Sequence, residues 1–257
     1  MLQEMKVSFE RTDLFTYITI ERPDKRNAID HETIELLDDL LDDVENSQKD
    51  RVLVITGKGE EAFCSGGDLS VFHALRTKED AYEMLSKMSK VLYKIFTLEI
   101  PTIALINGTA VGGGAELATA CDYRVAANHA NIGFVQGKLA ITTGWGGATY
   151  LFEKLPTETA FHMLTTTKMY TATEAHEIGY VQHVLDGKAN REELENYFSS
   201  WKQVSSAVLR AYKKRKLDAI DLTRLKSRVH QEVTECSILW ESDEHHQAVE
   251  AFRNKKK

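Results

Sequence analysis

The stretch that decides the fold is NGTAVGGGAELATACDYR, residues 107–124. Three consecutive glycines, Gly112 to Gly114, lead directly into a run of good helix formers, and one carboxylate, Glu116, follows two residues later. A helix N-terminus exposes backbone N–H groups that have no intrahelical partner, and its dipole favours negative charge. Because glycine allows a ligand to approach the backbone closely, the stretch predicts a turn whose N–H groups meet a negatively charged or polarised atom.

A second glycine loop, CSGGD at 64–68, follows the apolar run RVLVITG at 51–57. The first loop follows the apolar run PTIALING at 101–108. Short apolar runs that end at glycine predict buried strands, and ligand sites in α/β folds lie beyond the carboxyl ends of parallel strands. The N–H groups of Gly67 and Gly113 are therefore predicted to converge on one oxygen as an oxyanion hole.

The carboxylate of Glu116 lies one helical turn past Gly113, so it is predicted to face the same pocket as a general acid or base. A structural alternative stays open. In that alternative the glycines only form a tight strand-to-helix turn, and Glu116 only complements the dipole of the helix.

The rest of the chain alternates strand and helix patterns. KVSFER and FTYITIER predict a hairpin, and HETIELLDDLLDDVEN predicts a helix with Asp30 as its N-cap. Residues 78–97 form a further amphipathic pattern, YRVAA at 123–127 predicts a strand, and the remainder reads mostly helical. The order predicts an α/β fold with right-handed crossovers, divided into a core over residues 1–195 and a helical region over 196–257.

The composition of the 257 residues is that of an ordinary globular protein, with 42% hydrophobic and 28% charged residues. A net charge of −7 argues against a chain-wide affinity for nucleic acid or an anionic membrane, although YKKRK at 212–216 and RNKKK at 253–257 are local basic runs. The three cysteines are widely spaced and form no metal-binding pattern. A cytoplasmic protein without a metal or redox cofactor is expected.

Taken together, the motifs resemble the crotonase, or enoyl-CoA hydratase/isomerase, superfamily. The resemblance joins AFCSGGDL at 62–69 to PTIALINGTAVGGGAELATACDYRVAA at 101–127. ERPDKRNAID at 21–30 is similar to the family's first CoA-binding loop, and TATEAHEIGYVQHV at 171–184 and DEHHQAVEAFRNKK at 243–256 are similar to two of its helices. The resemblance implies a ClpP/crotonase-like spiral of ββα units with a helical C-terminal trimerisation region. It also implies an acyl-CoA substrate and a homotrimer, or a hexamer made as a dimer of trimers.

The resemblance also implies roles for individual residues. Gly67 and Gly113 match the two oxyanion N–H donors, and Glu116 matches the first catalytic glutamate of the hydratases. The positions that it assigns to CoA or substrate binding are Lys25, Asn27, Ala28, Ser65, Asp68, Leu69, Trp145, Phe252 and Lys255. In this family Phe252 and Lys255 match C-terminal positions that can reach the CoA of a neighbouring subunit.

One position departs from the hydratases, which hold a water between two glutamates. The second glutamate falls at Gln136, and an amide can neither take nor give a proton at neutral pH. FVQGKLAITTGWGGATYL at 134–151 is instead similar to the branch that decarboxylates ethylmalonyl-CoA and methylmalonyl-CoA. Trp145 matches the tryptophan of that branch. Loss of CO2 needs an oxyanion hole for the enolate and a weakly polar pocket around the leaving carboxylate.

Several hypotheses remain open at this point. Decarboxylation of a short 2-alkylmalonyl-CoA, with Gln136 and Trp145 in the pocket, is preferred over hydration or isomerisation of a 2-enoyl-CoA with Glu116 as the single acid or base. Glu116 either delivers the proton to the enolate carbon or only orients a neighbour. Trp145 is either part of the pocket or a loop aromatic packed on the core. Outside enzyme chemistry, the alternatives are an RNA-binding relative that uses YKKRKLD at 212–218, or a CoA-binding scaffold without turnover.

Overall fold

The structure is a computed structural model that describes residues 5–47, 49–187 and 191–254. Its strands are β1 Val7–Arg11, β2 Phe15–Ile20, β3 Val52–Gly57, β4 Ala62–Cys64, β5 Thr102–Ile106, β6 Thr109–Val111, β7 Tyr123–Ala127, β8 Asn131–Gly133, β9 Tyr170–Thr171 and β10 His183–Leu185. Its α-helices are α1 His31–Asn46, α2 Leu69–Phe72, α3 Lys78–Thr97, α4 Gly113–Ala120, α5 Gly147–Phe152, α6 Thr157–Thr166, α7 Ala172–Glu177, α8 Arg191–Tyr197, α9 Ser206–Asp218, α10 Leu222–Trp240 and α11 Asp243–Asn254. Short 3₁₀ helices lie at Pro23–Lys25, Gln136–Leu139 and Ser199–Gln203.

The strands form two sheets that the chain visits in turn. The larger sheet has the order β1-β2-β3-β5-β7-β10, and the smaller has the order β4-β6-β8-β9. After the antiparallel hairpin β1–β2, the pairs β2–β3, β3–β5, β5–β7 and β7–β10 are parallel. Because β3–β4, β5–β6 and β7–β8 add one strand to each sheet in the same order, each turn of the chain stacks on the one before. The predicted α/β spiral of ββα units is therefore confirmed, as is the helical C-terminal region.

The central strands are buried on both faces, as parallel strands covered by helices are. Every residue of β2, β3 and β5 is buried. Tyr17 and Val54 pack in one cluster with Phe198, whereas Ile18 and Ile55 belong to the larger core. The predicted helix start at Asp30 is also confirmed, because its carboxylate accepts a 2.9 Å hydrogen bond from the backbone N–H of Thr33.

A buried ion pair joins helix α9 to Asp122, which lies between α4 and β7. The ammonium group of Lys213 lies 2.7 Å from Oδ2 of Asp122 and also donates to the carbonyl oxygen of Phe96. Lys216 lies 2.7 Å from Oδ1 of the same carboxylate. The side chains of Lys213 and Asp122 are only 2% and 7% exposed. Two lysines on which the RNA-binding alternative depends are therefore engaged with Asp122.

Replacing Lys213 with methionine is expected to lower the free energy of unfolding by about 3 kcal/mol, because removal of one partner leaves a buried charge with less compensation. Lys216 still contacts Asp122, which places the effect at the low end of the range for such pairs. Urea unfolding measures the change. The matched control is Lys214→Met on the exposed side of the same helix, for which a change within about 0.5 kcal/mol is expected. Equal effects of the two substitutions would contradict the prediction.

The division into regions at residues 195 and 196 remains a prediction. Helices α9 to α11 lie in the C-terminal region. Across the described ranges, no helix combines the length and apolar character needed to cross a membrane.

Candidate active site

A cavity of about 570 Å³ lies where the two predicted glycine loops meet. Its walls come from the loop after β4, the start of α4, the 3₁₀ helix Gln136–Leu139, the turn before α5, and the helices α10 and α11. The carboxyl ends of β4 and β6 open onto it, which is the location expected for a ligand site in an α/β fold.

The two glycine loops approach each other closely at the cavity. Gly66 has a φ of +88°, and a Cβ atom placed on it would lie 3.0 Å from the backbone nitrogen of Gly113. Gly113 is the first residue of α4, so its N–H has no partner within the helix. Neither this N–H nor that of Gly67 donates to a loop, turn or side-chain acceptor in the ranges that the structure covers. The predicted pair of free N–H groups is thus brought to one wall of the cavity.

The indole ring of Trp145 lies against both of these glycines. A Cβ atom on Gly113 would come within 2.2 Å of Cζ3 of the indole, and one on Gly67 would lie 3.8 Å from Cζ2. Trp145 is only 4% exposed, belongs to the main core and lines the cavity. Its two predicted roles therefore coincide, since it packs on the core and forms part of the pocket wall.

Glu116 is buried at the cavity wall, and both oxygens of its carboxylate accept hydrogen bonds from the protein. Oε2 accepts from the backbone N–H groups of Trp145 at 2.8 Å and Gly147 at 2.9 Å. Oε1 accepts from the side-chain amide of Gln136 at 2.9 Å and, at 3.4 Å, from the N–H of Gly144. The carboxylate thus holds the turn that carries Trp145 in place.

A second buried carboxylate, Glu232 on α10, holds the other side of the same turn. It accepts from the hydroxyl of Thr143 and from the N–H and hydroxyl groups of Thr149. Burial first, and then the charge of Glu232, raise the pKa of Glu116 to about 8, whereas its hydrogen bonds with Trp145, Gly147 and Gln136 lower it. Burial likewise raises the pKa of Glu232. The sequence did not indicate Glu232, because it lies more than 80 residues from its partners.

Gln136 lies where the sequence predicted a site residue. Its Nε2 donates to Glu116, while its Oε1 is buried and has no hydrogen-bond partner among the described residues. A Cβ atom on Gly112 would lie 4.0 Å from its side-chain amide carbon. The Gln136 side chain therefore lies next to the glycine turn, and its Oε1 is available to accept a hydrogen bond.

Most of the residues that the resemblance assigns to CoA or substrate binding line the cavity. Those that line it are Lys25, Ala28, Ser65, Asp68, Leu69, Trp145 and Phe252. Asn27 does not line it. Its buried amide instead donates to the carbonyl oxygens of Lys58 and Ala62 and accepts from the N–H of Arg22, so it holds the loop together. Lys255 lies outside the described residues.

Asp68 is held by contacts within the protein. Its carboxylate is 2.8 Å from Nη2 of Arg22, and it caps α2 by accepting from the N–H of Ser70. Phe252 lines the cavity of its own subunit, whereas the resemblance allowed it to reach a neighbouring one.

Sequence reasoning missed the cavity wall that α10 and α11 provide. Cys236, Trp240 and His245 all line the cavity, and His245 is buried with Nδ1 2.7 Å from the carbonyl oxygen of Leu139. A signal was present in α11, because His245, Val249 and Phe252 recur at the spacing of one helix face. In the described ranges, no three His, Cys, Asp or Glu side chains come together in a way that would hold a metal ion.

Comparison with known proteins gives one consistent result. The family model for enoyl-CoA hydratase/isomerase matches residues 10–257. The putative enoyl-CoA hydratase/isomerase YngF of Bacillus subtilis is 39% identical over 168 residues, which are 65% of this chain and 64% of that protein. The ethylmalonyl-CoA decarboxylase of Xenopus tropicalis is 32% identical over 199 residues, which are 77% of this chain and 66% of that protein. The chain thus spans slightly less than two thirds of the length of these relatives. The crystal structure of an enoyl-CoA hydratase from Bacillus halodurans superposes with a TM-score of 0.86 at 26% identity and covers 96% of this chain and 100% of that one.

Proposed function

Because the chain belongs to the enoyl-CoA hydratase/isomerase family, we propose that it is a lyase that releases CO2 from a short 2-alkylmalonyl-CoA. The thioester itself supplies the activation, so no further cofactor is proposed. The observation that carries the choice of reaction is the pairing of Glu116 with Gln136, where hydration by two carboxylates would need a second acid.

The N–H groups of Gly67 and Gly113 are the proposed oxyanion hole. When the bond between C2 and the carboxylate breaks, its electron pair passes into the thioester and places negative charge on the carbonyl oxygen. Fixed donors stabilise that charge more than the neutral carbonyl of the substrate, which lowers the barrier. The position of Gly113 at the start of α4 adds the favourable dipole of the helix.

The inner part of the cavity suits the loss of a carboxylate charge. Met84, Leu85, Ile141 and Trp145 line it, and none of their side chains carries a charge. A carboxylate held beside apolar side chains is poorly stabilised, and CO2 is neutral, so the environment favours the transition state over the bound substrate. The free Oε1 of Gln136 adds an acceptor rather than a donor to this wall.

The mouth of the cavity suits the polar end of CoA. Lys25 and Arg26 are exposed there and line the opening together with Ala28. Cations of this kind pair with phosphate oxygens. We assign the CoA phosphates to this end and the acyl group to the end near Trp145.

Hydration or isomerisation of a 2-enoyl-CoA is the second candidate. It is favoured by the likeness to a solved enoyl-CoA hydratase and uses the same oxyanion hole. In it, Glu116 would be the single acid or base, which requires a carboxylate now bound by four donors to exchange a proton with substrate.

The deciding experiment is a mass-spectrometric assay of purified protein with ethylmalonyl-CoA, methylmalonyl-CoA and crotonyl-CoA side by side. Loss of CO2 from a malonyl thioester supports the proposal. Addition of water to crotonyl-CoA without decarboxylation favours the second candidate. Binding of all three thioesters without conversion would instead identify a scaffold, and salt-dependent RNA retention would revive the RNA-binding alternative.

Replacing Gln136 with glutamate is expected to lower the rate of decarboxylation about tenfold and to introduce or raise hydration of crotonyl-CoA. The new carboxylate would face Glu116 across a 2.9 Å contact, so one of the two would be protonated and would become an acid in the pocket. The same assay measures both reactions. Gln136→Met, which has similar bulk and no acid, is the control and should gain no hydration. Unchanged selectivity in Gln136→Glu would show that this position does not set the reaction.

We also propose that the protein is a cytoplasmic homotrimer or dimer of trimers. Exposed apolar side chains support association of the subunits, among them Phe161 at 60% exposure and Ile238 at 52%. Analytical ultracentrifugation tests the proposal, and a monomer at micromolar concentration would refute it.

A further inference from the structure

His245, near the start of α11, is a buried polar side chain of the cavity to which the proposed function assigns no role. It is 2% exposed as a residue, lines the cavity and lies more than 100 residues from the segment that it contacts. Its Nδ1 is 2.7 Å from the carbonyl oxygen of Leu139. A carbonyl oxygen only accepts hydrogen bonds, so Nδ1 carries a hydrogen in every protonation state of the ring. Nε2 is then the nitrogen at which a proton is gained or lost.

The ring is held in a fixed position. Its centroid lies 4.7 Å from the ring of Trp240, whose Nε1 donates to the carbonyl oxygen of Leu75. The centroid of the His246 ring lies 5.6 Å from that of His245. Nε2 has no hydrogen-bond partner in the part of the chain that the structure describes. An imidazole with one nitrogen fixed and the other unpaired at a cavity is arranged to exchange protons with a ligand.

The proposed reaction needs such a group. Decarboxylation leaves an enolate, and one proton must be added at C2 to give the product. Both carboxylate oxygens of Glu116 are already hydrogen-bonded to groups of the protein, which are Gln136, Trp145 and Gly147. Cys236 is a poorer candidate, because burial raises the pKa of its thiol, which makes it a weaker acid, and its S–H donates to the carbonyl oxygen of Thr142. Lys25 and Arg26 lie at the mouth of the cavity.

We propose that His245, through Nε2, delivers the proton that C2 of the enolate receives, directly or through one water in the cavity. This inference rests on the proposed function. In the step, the bond between C2 and the carboxylate breaks, CO2 leaves, and the electron pair is held as the enolate. The C2–H bond then forms with the proton of imidazolium Nε2, and the neutral ring takes a new proton from solvent.

The surroundings of His245 set the direction of its pH dependence. Burial lowers the pKa of the imidazole, the hydrogen bond with Leu139 raises it, and the neighbouring His246 lowers it. His246 is the titratable neighbour on α11, and Lys138 of the 3₁₀ helix also lines the cavity. Trp240 of α10 and Leu139 of the 3₁₀ helix carry no charge. The rate should therefore fall as pH rises through the pKa of His245, because the proton-carrying form disappears.

Two variants separate the two nitrogens. In His245→Asn, the amide NH2 replaces Nδ1 and keeps the hydrogen bond with Leu139, but nothing replaces Nε2. In His245→Gln, the amide reaches toward the position of Nε2 and cannot give up a proton. For both we expect kcat to fall about 100-fold, KM to change less than about threefold, and the loss of rate at high pH to disappear.

A second readout does not depend on rate. In D2O the wild-type protein should place one deuterium at C2 of the product with a single stereochemistry, because a fixed group delivers it. The residual turnover of both variants should give a mixture of stereoisomers, because solvent then protonates the enolate from either side. NMR of the 2-deuterated acyl product distinguishes the two cases.

The outcomes separate the inference from the function on which it rests. A wild-type protein that decarboxylates no 2-alkylmalonyl-CoA overturns the proposed function. The C2 deuterium measurement then applies to hydration of crotonyl-CoA, which also adds a proton at C2. If wild type is active and His245→Asn keeps its rate, pH profile and single stereochemistry, His245 is not the proton donor.

Discussion

Gly113→Pro is expected to lower kcat by about 10²–10³-fold while the protein stays folded, because one fixed donor to a developing oxyanion contributes about that much. Proline is well accepted at the first position of a helix, which Gly113 occupies in α4, since that N–H has no helical partner. The substitution removes the N–H that is proposed to meet the thioester oxygen. The loss should appear with malonyl and enoyl thioesters alike, because both reactions would use the same hole.

Gly113→Ala is the matched control for this prediction. Any Cβ atom at this position would come within 2.2 Å of Cζ3 of Trp145, so alanine introduces the same clash but keeps the N–H. The ratio of the two kcat values therefore isolates the donor from the displacement of the indole. Equal losses in the two variants would mean that steric fit, and not the N–H, accounts for the need for glycine here.

The same stretch shows what the sequence was able to predict. The turn between β6 and α4 is determined by its own residues. Gly112 has a φ of +59°, which glycine adopts readily, and the helix starts directly after it. The buried strands and the amphipathic helices likewise depend on local periodicity. The approach of the loop at 64–68 to the start of α4 was predictable because parallel strands end at one edge of a sheet.

The parts that could not be predicted are those that depend on contacts between distant segments. Glu232 of α10 binds Thr149 of α5, and His245 of α11 binds Leu139, at sequence separations of 83 and 106. No local pattern predicts that a glutamate in an amphipathic helix will accept a hydrogen bond from a particular backbone N–H. The same limit explains Asn27. The resemblance assigned it to a CoA-binding loop, but could not show that its side-chain amide donates to the carbonyl oxygen of Ala62.

The geometry around Glu116 also favours one of the two roles that the sequence left open. A general acid or base needs a lone pair or a proton that can reach substrate. Each carboxylate oxygen of Glu116 instead accepts from two groups of its own protein, and three of the four donors are backbone N–H groups of the turn at 144–147. We infer that Glu116 positions Trp145 against the proposed oxyanion hole through this turn.

Glu116→Gln is expected to retain kcat within about tenfold of wild type and to alter the dependence of stability on pH. The new amide oxygen can accept from Trp145 and Gly147, and its NH2 can donate to Oε1 of Gln136 once that side chain rotates. The pKa of Glu116 is raised to about 8 in the folded protein, from 4.5 for the ordinary group. Between these values the folded state binds more protons than the unfolded state, so the contribution of Glu116 to stability falls as pH rises.

The expected size of that change is about 4 kcal/mol between pH 4.5 and pH 8, which the glutamine variant should lack. Urea unfolding at several pH values measures it, and because Glu232 is present in both proteins, their difference isolates Glu116. Glu116→Ala is the destabilising counterpart, expected to lower the free energy of unfolding by about 3–5 kcal/mol, since it leaves buried donors without an acceptor. A folded Glu116→Gln protein whose kcat is reduced 10³-fold would reverse the assignment. Glu116 would then be the acid or base, and His245 would lose its proposed role.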